Sequence, residues 1–219
     1  MPRLLGGFAV TLQLTFISLI AGFALGLLLS LGRVYGSRII SGICISYIEV
    51  IRGTPLLVQL FILYFGLPSI GLRLPPLGAA LIGFSLNSGA YQAEYLRGSI
   101  QSIESGQFLA ARTIGMNKLQ SIGNIILPQA LRISIPAWSN ELIYLLKYTS
   151  IAYIILVNEL FGEGVQITAV NFRFIEIFAL IAIIYLVTTI VFTEIIDRVE
   201  RKVALPGIGA PFKVKQRYF

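Results

Sequence analysis

Five long runs of apolar residues most constrain what this chain can fold into. A helix that spans a bilayer needs about 20 consecutive apolar residues, and such runs can be placed at 8–32, 40–66, 77–96, 133–157 and 174–196. Hydrophobic residues make up 56% of the chain and charged residues 12%, too few to cover the surface of a soluble domain. The sequence therefore predicts an all-α, polytopic membrane protein with five transmembrane helices in a single domain, 1–219. The first run is expected to be a retained helix, because it is longer than the apolar core of a signal peptide.

Residues 97–132 form the only long stretch too polar to lie in lipid. The pattern from Phe108 to Ile114 is typical of two helical turns, which Gly115 would close in the left-handed conformation. Asn117 can cap a second helix, with a glutamine three residues later, and Pro128 is expected to end it. We therefore predict two short amphipathic helices at the membrane surface.

Lysine and arginine favour the cytoplasmic side of a membrane. With the N-terminus outside, only Arg3, Arg73 and Arg173 lie in outer segments. The twelve inner cations are Arg33, Arg38, Arg97, Arg112, Lys118, Arg132, Arg198, Arg201, Lys202, Lys213, Lys215 and Arg217. This bias predicts an outside N-terminus, a cytoplasmic loop 97–132 and a cytoplasmic C-terminus. It also accounts for the net charge of +7 without a nucleic-acid partner.

Composition excludes several classes of site. The chain has no histidine, so histidine-dependent catalysis, a histidine-ligated zinc and a histidine proton relay are excluded. Cys44 is the only cysteine, and no internal disulfide can form. No phosphate-binding loop motif occurs, so the chain is not expected to bind ATP itself.

The second run carries polar residues that lipid does not solvate. Pro55 removes a backbone hydrogen bond near mid-depth, so we expect a broken helix that lines a cavity. Glu49 and Arg52 are three residues apart and could neutralise each other on one helix face. They could equally belong to a transport pathway, together with Thr54.

The third run ends in a polar face. Asn87, Tyr91 and Glu94 follow at spacings of four and three, so an amide, a phenol and a carboxylate share one side of a helix. An ionisable group within a span is a functional hypothesis by default. The alternative is that Glu94 lies close enough to the inner surface to meet Arg97 or water.

The fourth run is expected to open after breaks at Pro128 and Pro136. It carries Glu141 and Lys147, which are six residues apart and fall on different helix faces. We therefore expect the two charges to face other helices or the pore rather than each other.

Two patterns concern packing and the outer surface. Gly22 and Gly26 have the spacing of a G-x-x-x-G motif, which predicts close helix packing within the chain rather than between subunits. Residues 158–173 resemble an outer loop. Its Glu159 and Glu163 could meet a soluble partner, guide a cationic solute or simply be solvated.

The fifth run ends in charges. Glu194 with Arg198, and Asp197 with Arg201, have the i,i+4 spacing of helical ion pairs. The helix is therefore expected to emerge into the cytoplasm, and the tail from Ala204 has the composition of coil.

Four sequence blocks point to one family. The cytoplasmic signature of that family is Glu-Ala-Ala, three residues, Gly, nine residues, then Ile-x-Leu-Pro. The residues in register with it are Ala110, Ala111, Gly115, Ile125, Leu127 and Pro128, while Leu109 replaces the glutamate. Blocks 52–59, 91–98 and 147–150 are similar to the amino-acid branch of the family. The chain thus resembles the membrane permease subunit of bacterial type I ABC importers for polar amino acids.

The resemblance implies a transport subunit rather than an enzyme, in the bacterial plasma (inner) membrane. It implies a second permease subunit, a homodimer being favoured, a cytoplasmic ABC ATPase dimer that carries ATP and magnesium, and an extracytoplasmic amino-acid-binding protein. No cofactor is expected on this chain. The residues expected to couple to the ATPase are Ala110, Ala111, Arg112, Gly115, Met116 and Pro128.

Charges within the spans bear on the substrate. The acids Glu49, Glu94 and Glu141 outnumber the bases Arg52 and Lys147, and a surplus acid suits arginine, lysine or histidine. Glutamine-like neutral or acidic amino acids are the alternative, and a neutral substrate would fit if Glu49 is neutralised by Arg52. The predicted binding residues are Asn87, Tyr91, Glu94 and Glu141, with Glu49, Arg52, Thr54 and Lys147 as pathway or structural residues.

A stand-alone secondary transporter is the rival from another class. Such a protein would take up its substrate with an ion gradient, and it is usually built from an inverted repeat that five spans cannot supply symmetrically. A membrane-embedded enzyme is disfavoured because no nucleophile has a suitable base.

Overall fold

A computed structural model describes residues 2–203, and within that range the chain is helical, without a strand. Its α-helices are α1 (Pro2–Tyr35), α2 (Arg38–Gly53), α3 (Leu56–Phe61), α4 (Pro76–Gln101), α5 (Ser105–Thr113), α6 (Lys118–Ser121), α7 (Leu127–Tyr148), α8 (Leu160–Asn171) and α9 (Phe174–Val203). Other helical turns are the π segments Ile62–Gly66 and Ile122–Ile126 and the 3₁₀ segments Leu67–Ile70 and Thr149–Ile155. This confirms the predicted all-α class. The coil predicted from Ala204 lies outside the described residues.

Helices α1 and α4 form the closest helix pair. A Cβ atom added to Gly22 would lie 2.9 Å from Nε2 of Gln92, and one added to Gly26 would lie 3.0 Å from the carbonyl oxygen of Gly89. The Gln92 side chain also donates a hydrogen bond to the carbonyl of Leu19, at 3.1 Å. The predicted packing of the two glycines within the chain is confirmed.

One apolar core joins α1, α3, α4, α7 and the 3₁₀ segment that follows α7. Its buried side chains include Leu14, Leu19, Leu60, Phe84, Leu142, Leu145 and Ile155. This core holds α4, and with it the polar face of that helix, against α1, α3 and α7.

The second predicted span is sharply bent. After α2 the chain is extended at Thr54 and Pro55, and the helical axis turns by 101°. The Gln59 side chain donates hydrogen bonds to the carbonyls of Ile51, at 2.7 Å, and Thr54, at 3.1 Å. It thereby satisfies backbone oxygens exposed by the break. The predicted break at Pro55 is confirmed, and 40–66 forms two helical arms rather than one straight span.

The segment between α4 and α7 follows its predicted local signals. Gly115 follows α5 in the left-handed conformation, with φ +87°. Asn117 caps α6 in a reciprocal capping box with Gln120, with both hydrogen bonds at 2.9 Å. Although the spacing of Leu119 and Ile122 is that of one helix face, Leu119 is 80% exposed and Ile122 is buried.

The predicted helix end at Pro128 is wrong. The chain stays helical from α6 through the π segment into α7, where Pro128 is the second residue and Pro136 lies inside the helix. The wider π turn accommodates the missing N–H of Pro128. The predicted breaks before the fourth span are therefore absent. Both predicted limits of the loop, 97 and 132, fall inside helices, since α4 continues to Gln101.

The loop predicted at 158–173 is also wrong, since 160–171 form helix α8. Glu159 caps this helix and is fully buried. Its carboxylate accepts hydrogen bonds from the backbone N–H of Phe161, at 2.9 Å, and Gly162, at 2.7 Å, and from the hydroxyl of Tyr185, at 3.1 Å. Glycines and acids in 158–173 resemble a loop in sequence, but here they cap a helix and let it pack closely.

Helix length and hydropathy identify fewer spans than the five expected. Within residues 2–203, α1 and α9 are each long and apolar enough to cross a membrane, and the number rises to four if each of two bent helix pairs is one span. Helix α4 is absent from that set because polar residues interrupt its second half. Toward the C-terminal end of α9, Glu194 pairs with Arg198 at 3.1 Å. The predicted pair of Asp197 with Arg201 is not among the ion pairs of the described residues.

Candidate functional site

Glu94 lies at the centre of a charge cluster. Its carboxylate is 2.8 Å from Nη2 of Arg97, is in contact with Arg33 of α1, and is 3.8 Å from Nη1 of Arg52 of α2. The side chain of Glu94 is 15% exposed. Since one carboxylate faces three guanidinium groups, the cluster keeps an excess of two positive charges. The contact of Glu94 with Arg97, which the sequence left open as the alternative interpretation of Glu94, is present.

Arg52 is the most exposed cation of this cluster, with 36% of its side chain accessible. Its guanidinium carbon lies 5.2 Å from the centre of the Tyr91 ring, a cation–π distance. Glu49 is exposed, and no ion pair joins it to Arg52 among the described residues. The possible Glu49–Arg52 pair is therefore wrong, because Arg52 turns instead toward Glu94.

A chain of amides and hydroxyls lies beside Arg52. The Nδ2 atom of Asn87 donates to Oε1 of Gln59 at 3.2 Å, and Nε2 of Gln59 donates to Oγ1 of Thr54 at 2.9 Å. Asn87 is one helical turn from Tyr91 on α4. The bend after α2 thus brings residues from both sides of Pro55 to the polar face of α4.

Glu141 lies in a separate and more buried cluster. It is 6% exposed, and its carboxylate accepts hydrogen bonds from the hydroxyls of Ser88, at 2.7 Å, and Tyr95, at 3.3 Å. Ser88 in turn accepts from Nε2 of Gln92 at 2.9 Å. Of the four predicted binding residues, Asn87, Tyr91 and Glu94 share one face, whereas Glu141 lies behind it.

Lys147 lies apart from both clusters. Its Nζ atom is 5.2 Å from the centre of the Tyr144 ring, and it lines a cavity of about 370 Å³ with Phe161, Phe178 and Tyr185. No ion pair joins it to Glu141 in the part of the chain that the structure describes, in agreement with the sequence prediction. The lining of the cavity includes three aromatic residues, two aliphatic residues and no carboxylate, and so differs from the charged site around Glu94.

The predicted coupling residues, apart from Pro128, lie in the last turns of α5 or in the turn between α5 and α6. Ala110, Arg112 and Gly115 are exposed, whereas Ala111 is 4% exposed. The Arg112 guanidinium donates to the carbonyl of Met116 at 3.2 Å and so spans the turn. Pro128 is placed apart from this turn, inside the continuous helix. The turn is thus braced by one side chain, and its outer face is exposed.

Three large apolar side chains also lie on this turn. Leu109 is 69% exposed, Ile114 78% and Leu119 80%. Leu109 stands where the family motif has a glutamate, so an apolar side chain replaces a charge on the most accessible face.

Sequence reasoning missed three members of the site. Arg33 is 61 residues from Glu94, and Ser88 and Tyr95 bind Glu141 from another helix. Arg33 was assigned only to the positive inner surface. Arg33 lies at the end of the first span and Glu94 near the end of the third, and this shared depth could have indicated that the two side chains are in contact. No group of three metal-ligating side chains occurs within residues 2–203.

Comparison with known proteins agrees with this geometry. Residues 18–205 match the family described as binding-protein-dependent transport system inner membrane component. The chain is 39% identical over 206 residues to the glutamine transport system permease protein GlnP of Escherichia coli (strain K12), covering 93% of this chain and 94% of that protein. It is 37% identical over 202 residues to the arginine transport system permease protein ArtQ of Bacillus subtilis (strain 168), covering 92% of each.

A solved structure shares the fold. It is described as the crystal structure of an amino acid ABC transporter with histidines, and it superimposes with a TM-score of 0.86 at 38% identity, covering 92% of this chain and 94% of that one. The family match, the relatives and the fold agree on a permease, with ATP hydrolysis on a partner chain. The chain therefore belongs to the family of binding-protein-dependent transport system inner membrane components, and its resemblance to polar amino acid ABC importer permeases is confirmed.

Proposed function

We propose that this chain forms the translocation pathway of an ATP-driven importer for polar amino acids, with basic amino acids as its substrates. The observation that carries the proposal is the polar face of α2 and α4, where Arg52, Asn87, Tyr91 and Glu94 lie within otherwise apolar segments. Water-accessible charge in such segments is typical of a substrate pathway. The exposed α5–α6 turn supplies the surface through which a separate ATPase would drive it.

Two oxygens of the polar face are available to a substrate. Within residues 2–203, Oδ1 of Asn87 and the hydroxyl of Tyr91 make no hydrogen bond, and Asn87 uses only its Nδ2 atom. Both oxygens can accept hydrogen bonds from an ammonium group. Glu94 adds negative charge beside them, and we place Glu141 as a deeper polar residue behind the site.

The charge distribution supports a basic side chain as follows. Arg33 and Arg97 neutralise Glu94, but Glu49 and Glu141 have no ion pair among the described residues. Glu49, which is exposed, would attract a cationic side chain directly, and Glu141 would add negative charge from behind the site. Glutamine-like neutral or acidic amino acids are the alternative. Among similar permeases, one is named for glutamine and another for arginine.

A second permease subunit is expected against α7. Asn140, Tyr144 and Tyr148 recur every fourth residue and are exposed, and the two tyrosine rings stack with their centres 6.0 Å apart. Polar residues on a spanning helix face protein or water rather than lipid. We propose that a second copy of this chain covers the stripe. A homodimer would bring two equal pathways together.

The remaining partners follow from the family. We propose that the α5–α6 turn binds a cytoplasmic ABC ATPase dimer, which carries ATP and magnesium. An extracytoplasmic amino-acid-binding protein would deliver the substrate to the opposite face. The excess of lysine and arginine near the turn supports a cytoplasmic placement, with the N-terminus outside.

The proposal is tested by uptake into proteoliposomes that contain the permease, its ATPase and its receptor. We expect ATP-dependent uptake of arginine, lysine or histidine, and a loss of about tenfold or more in Glu94→Gln, because the three arginines lose their counter-charge. Arg198→Gln, which breaks only an exposed pair at 3.1 Å, is the matched control.

Two results would contradict it. Unchanged basic amino-acid uptake in Glu94→Gln would remove Glu94 from the site. Absence of ATP-dependent uptake for every amino acid in the wild type would remove the function. Asn87→Ala provides a second test at the site if Glu94→Gln folds poorly.

A further inference from the structure

The excess positive charge around Glu94 is without an obvious counter-ion. Arg33, Arg52 and Arg97 converge on one carboxylate, and the described part of the chain places no second acid in ion-pair contact with them. Three guanidinium groups held around one carboxylate repel each other, and an added anion relieves that repulsion. The cluster therefore has the electrostatics of an anion site.

The three arginines differ in how fully they are engaged. Arg97 donates from both Nε and Nη2 to Glu94, at 3.2 and 2.8 Å, and Arg33 donates to the same carboxylate. Arg52 approaches only to 3.8 Å, beyond hydrogen-bond distance. Within residues 2–203 it donates no hydrogen bond at all, although a guanidinium group has five N–H donors.

The local structure keeps Arg52 available. It lies in the last turn of α2, where a cation commonly binds the exposed carbonyls of its own helix. Here Gln59 and Thr54 already donate to those carbonyls, Gln59 to Ile51 at 2.7 Å and Thr54 to Val50 at 2.9 Å. The Tyr91 ring contacts the Arg52 guanidinium group, and the N–H donors of that group stay without a hydrogen bond within residues 2–203.

We propose that Arg52 binds the α-carboxylate of the transported amino acid, with Glu94 as the residue that positions it. This assignment rests on the proposed transport function and reverses the simplest role of Glu94, which would then orient Arg52 rather than bind the substrate ammonium. The α-ammonium would be bound by the free oxygens of Tyr91 and Asn87, which lie about one and two helical turns before Glu94 on the same face of α4. A guanidinium group can bind a carboxylate through two parallel hydrogen bonds, so the site requires a free carboxylate.

The test compares amino acids with their methyl esters, which keep the ammonium and the side chain but lack the carboxylate charge. Binding of L-arginine, L-glutamine and the two methyl esters is measured on the detergent-solubilised permease–ATPase complex without receptor. In the wild type we expect at least one free amino acid to bind about tenfold to a hundredfold more tightly than its ester. Arg52→Gln should abolish this preference while leaving ester binding nearly unchanged.

Two further variants make the result specific. Arg52→Lys keeps the charge but not the fork and should retain only part of the preference. Arg198→Gln, on the exposed pair with Glu194, should retain all of it. Arg33 and Arg97 still neutralise Glu94 in either Arg52 variant, so the fold is expected to persist.

The proposal is overturned if Arg52→Gln keeps the wild-type preference for the free amino acid. It is also overturned if the wild type binds the esters as well as the acids, or binds neither. ATP-dependent uptake, measured in parallel on the same wild-type complex, shows whether the transport function survives such a result. Uptake without a role for Arg52 would remove this inference alone.

Discussion

Two glutamates four residues apart, Glu159 and Glu163, have different kinds of partner. Glu159 is fully buried and accepts hydrogen bonds from two backbone N–H groups and from Tyr185. Glu163 is mostly buried as well, with 13% of its side chain exposed, but it pairs at 3.0 Å with Arg3, whose side chain is 56% exposed. The first glutamate fixes the start of α8 from inside the protein, whereas the second binds a partner that solvent reaches.

This difference gives a matched pair of variants. Glu159→Ala should lower the free energy of unfolding by about 2–4 kcal/mol, because it removes a helix cap and leaves buried donors without acceptors. Glu163→Ala should lower it by about 0–1 kcal/mol, since it breaks a partly exposed pair. Thermal unfolding in detergent measures both. Equal losses of unfolding free energy in the two variants would show that the buried cap of Glu159 does not stabilise α8 more than the Arg3–Glu163 pair stabilises the fold.

The sequence predicted which polar residues lie within the spans, but not which of these side chains contact one another. Asn87, Tyr91 and Glu94 were placed on one face from helical spacing alone, and they share it in the structure. The contact of Glu94 with Arg33 joins residues 61 positions apart, and no local pattern encodes such a distance. Glu141 was grouped with the site by charge, although helix packing places it behind.

At the scale of helices, the contact of α1 with α4 depends on small residues. A Cβ atom on Gly26 would lie 2.9 Å from Cβ of Gln92 and 3.0 Å from a backbone oxygen, so neither helix can give way locally. On the same helix, Gly6 has nothing within 4 Å of a Cβ atom.

We therefore expect Gly26→Ile to reduce the yield of folded permease severely, through overpacking that costs about 1–3 kcal/mol or more. Gly6→Ile should be nearly neutral. The comparison is made by size-exclusion chromatography and thermal unfolding in detergent. A Gly26→Ile variant as stable as the wild type would contradict close packing at this contact.

The turn between α5 and α6 depends on one backbone conformation. Gly115 has φ +87°, a region that a β-branched residue adopts only at a cost of about 1–3 kcal/mol. Gly115→Val should abolish substrate-stimulated ATPase activity while leaving expression intact, because the turn would no longer present its coupling face. Gly106→Val, a position in α5 with nothing within 4 Å of a Cβ atom, is the control. Unchanged stimulation in Gly115→Val would exclude this turn as the coupling element.

Helices with strong local signals could be predicted, and those made by context could not. The left-handed Gly115 and the Asn117 cap are local and were found. Helix α8 was missed because its glycines and acids are typical of a loop in sequence. The contacts that stabilise it as a helix come from α1 and α9, which are distant in the chain. The continuous helix through Pro128 was missed because a π turn precedes the proline.

For the molecule as a whole, the proposed orientation in the membrane can be tested by labelling single-cysteine variants. Ile114 and Val170 are both 78% exposed, one on the coupling turn and one near the end of α8. In a Cys44→Ala background, Ile114→Cys should react with an impermeant maleimide only from the cytoplasmic side, and Val170→Cys only from outside. Labelling of both from the same side would contradict the proposed topology.

The most direct test of an ATP-driven amino acid permease is ATPase activity of the reconstituted complex with and without receptor, across the common amino acids. We predict stimulation by liganded receptor with arginine, lysine or histidine, and none in Gly115→Val. Stimulation only by neutral amino acids would keep the importer but show that Glu49 and Glu141 do not select the substrate. Uptake by the permease alone, driven by an ion gradient and indifferent to ATP, would contradict the mechanism itself.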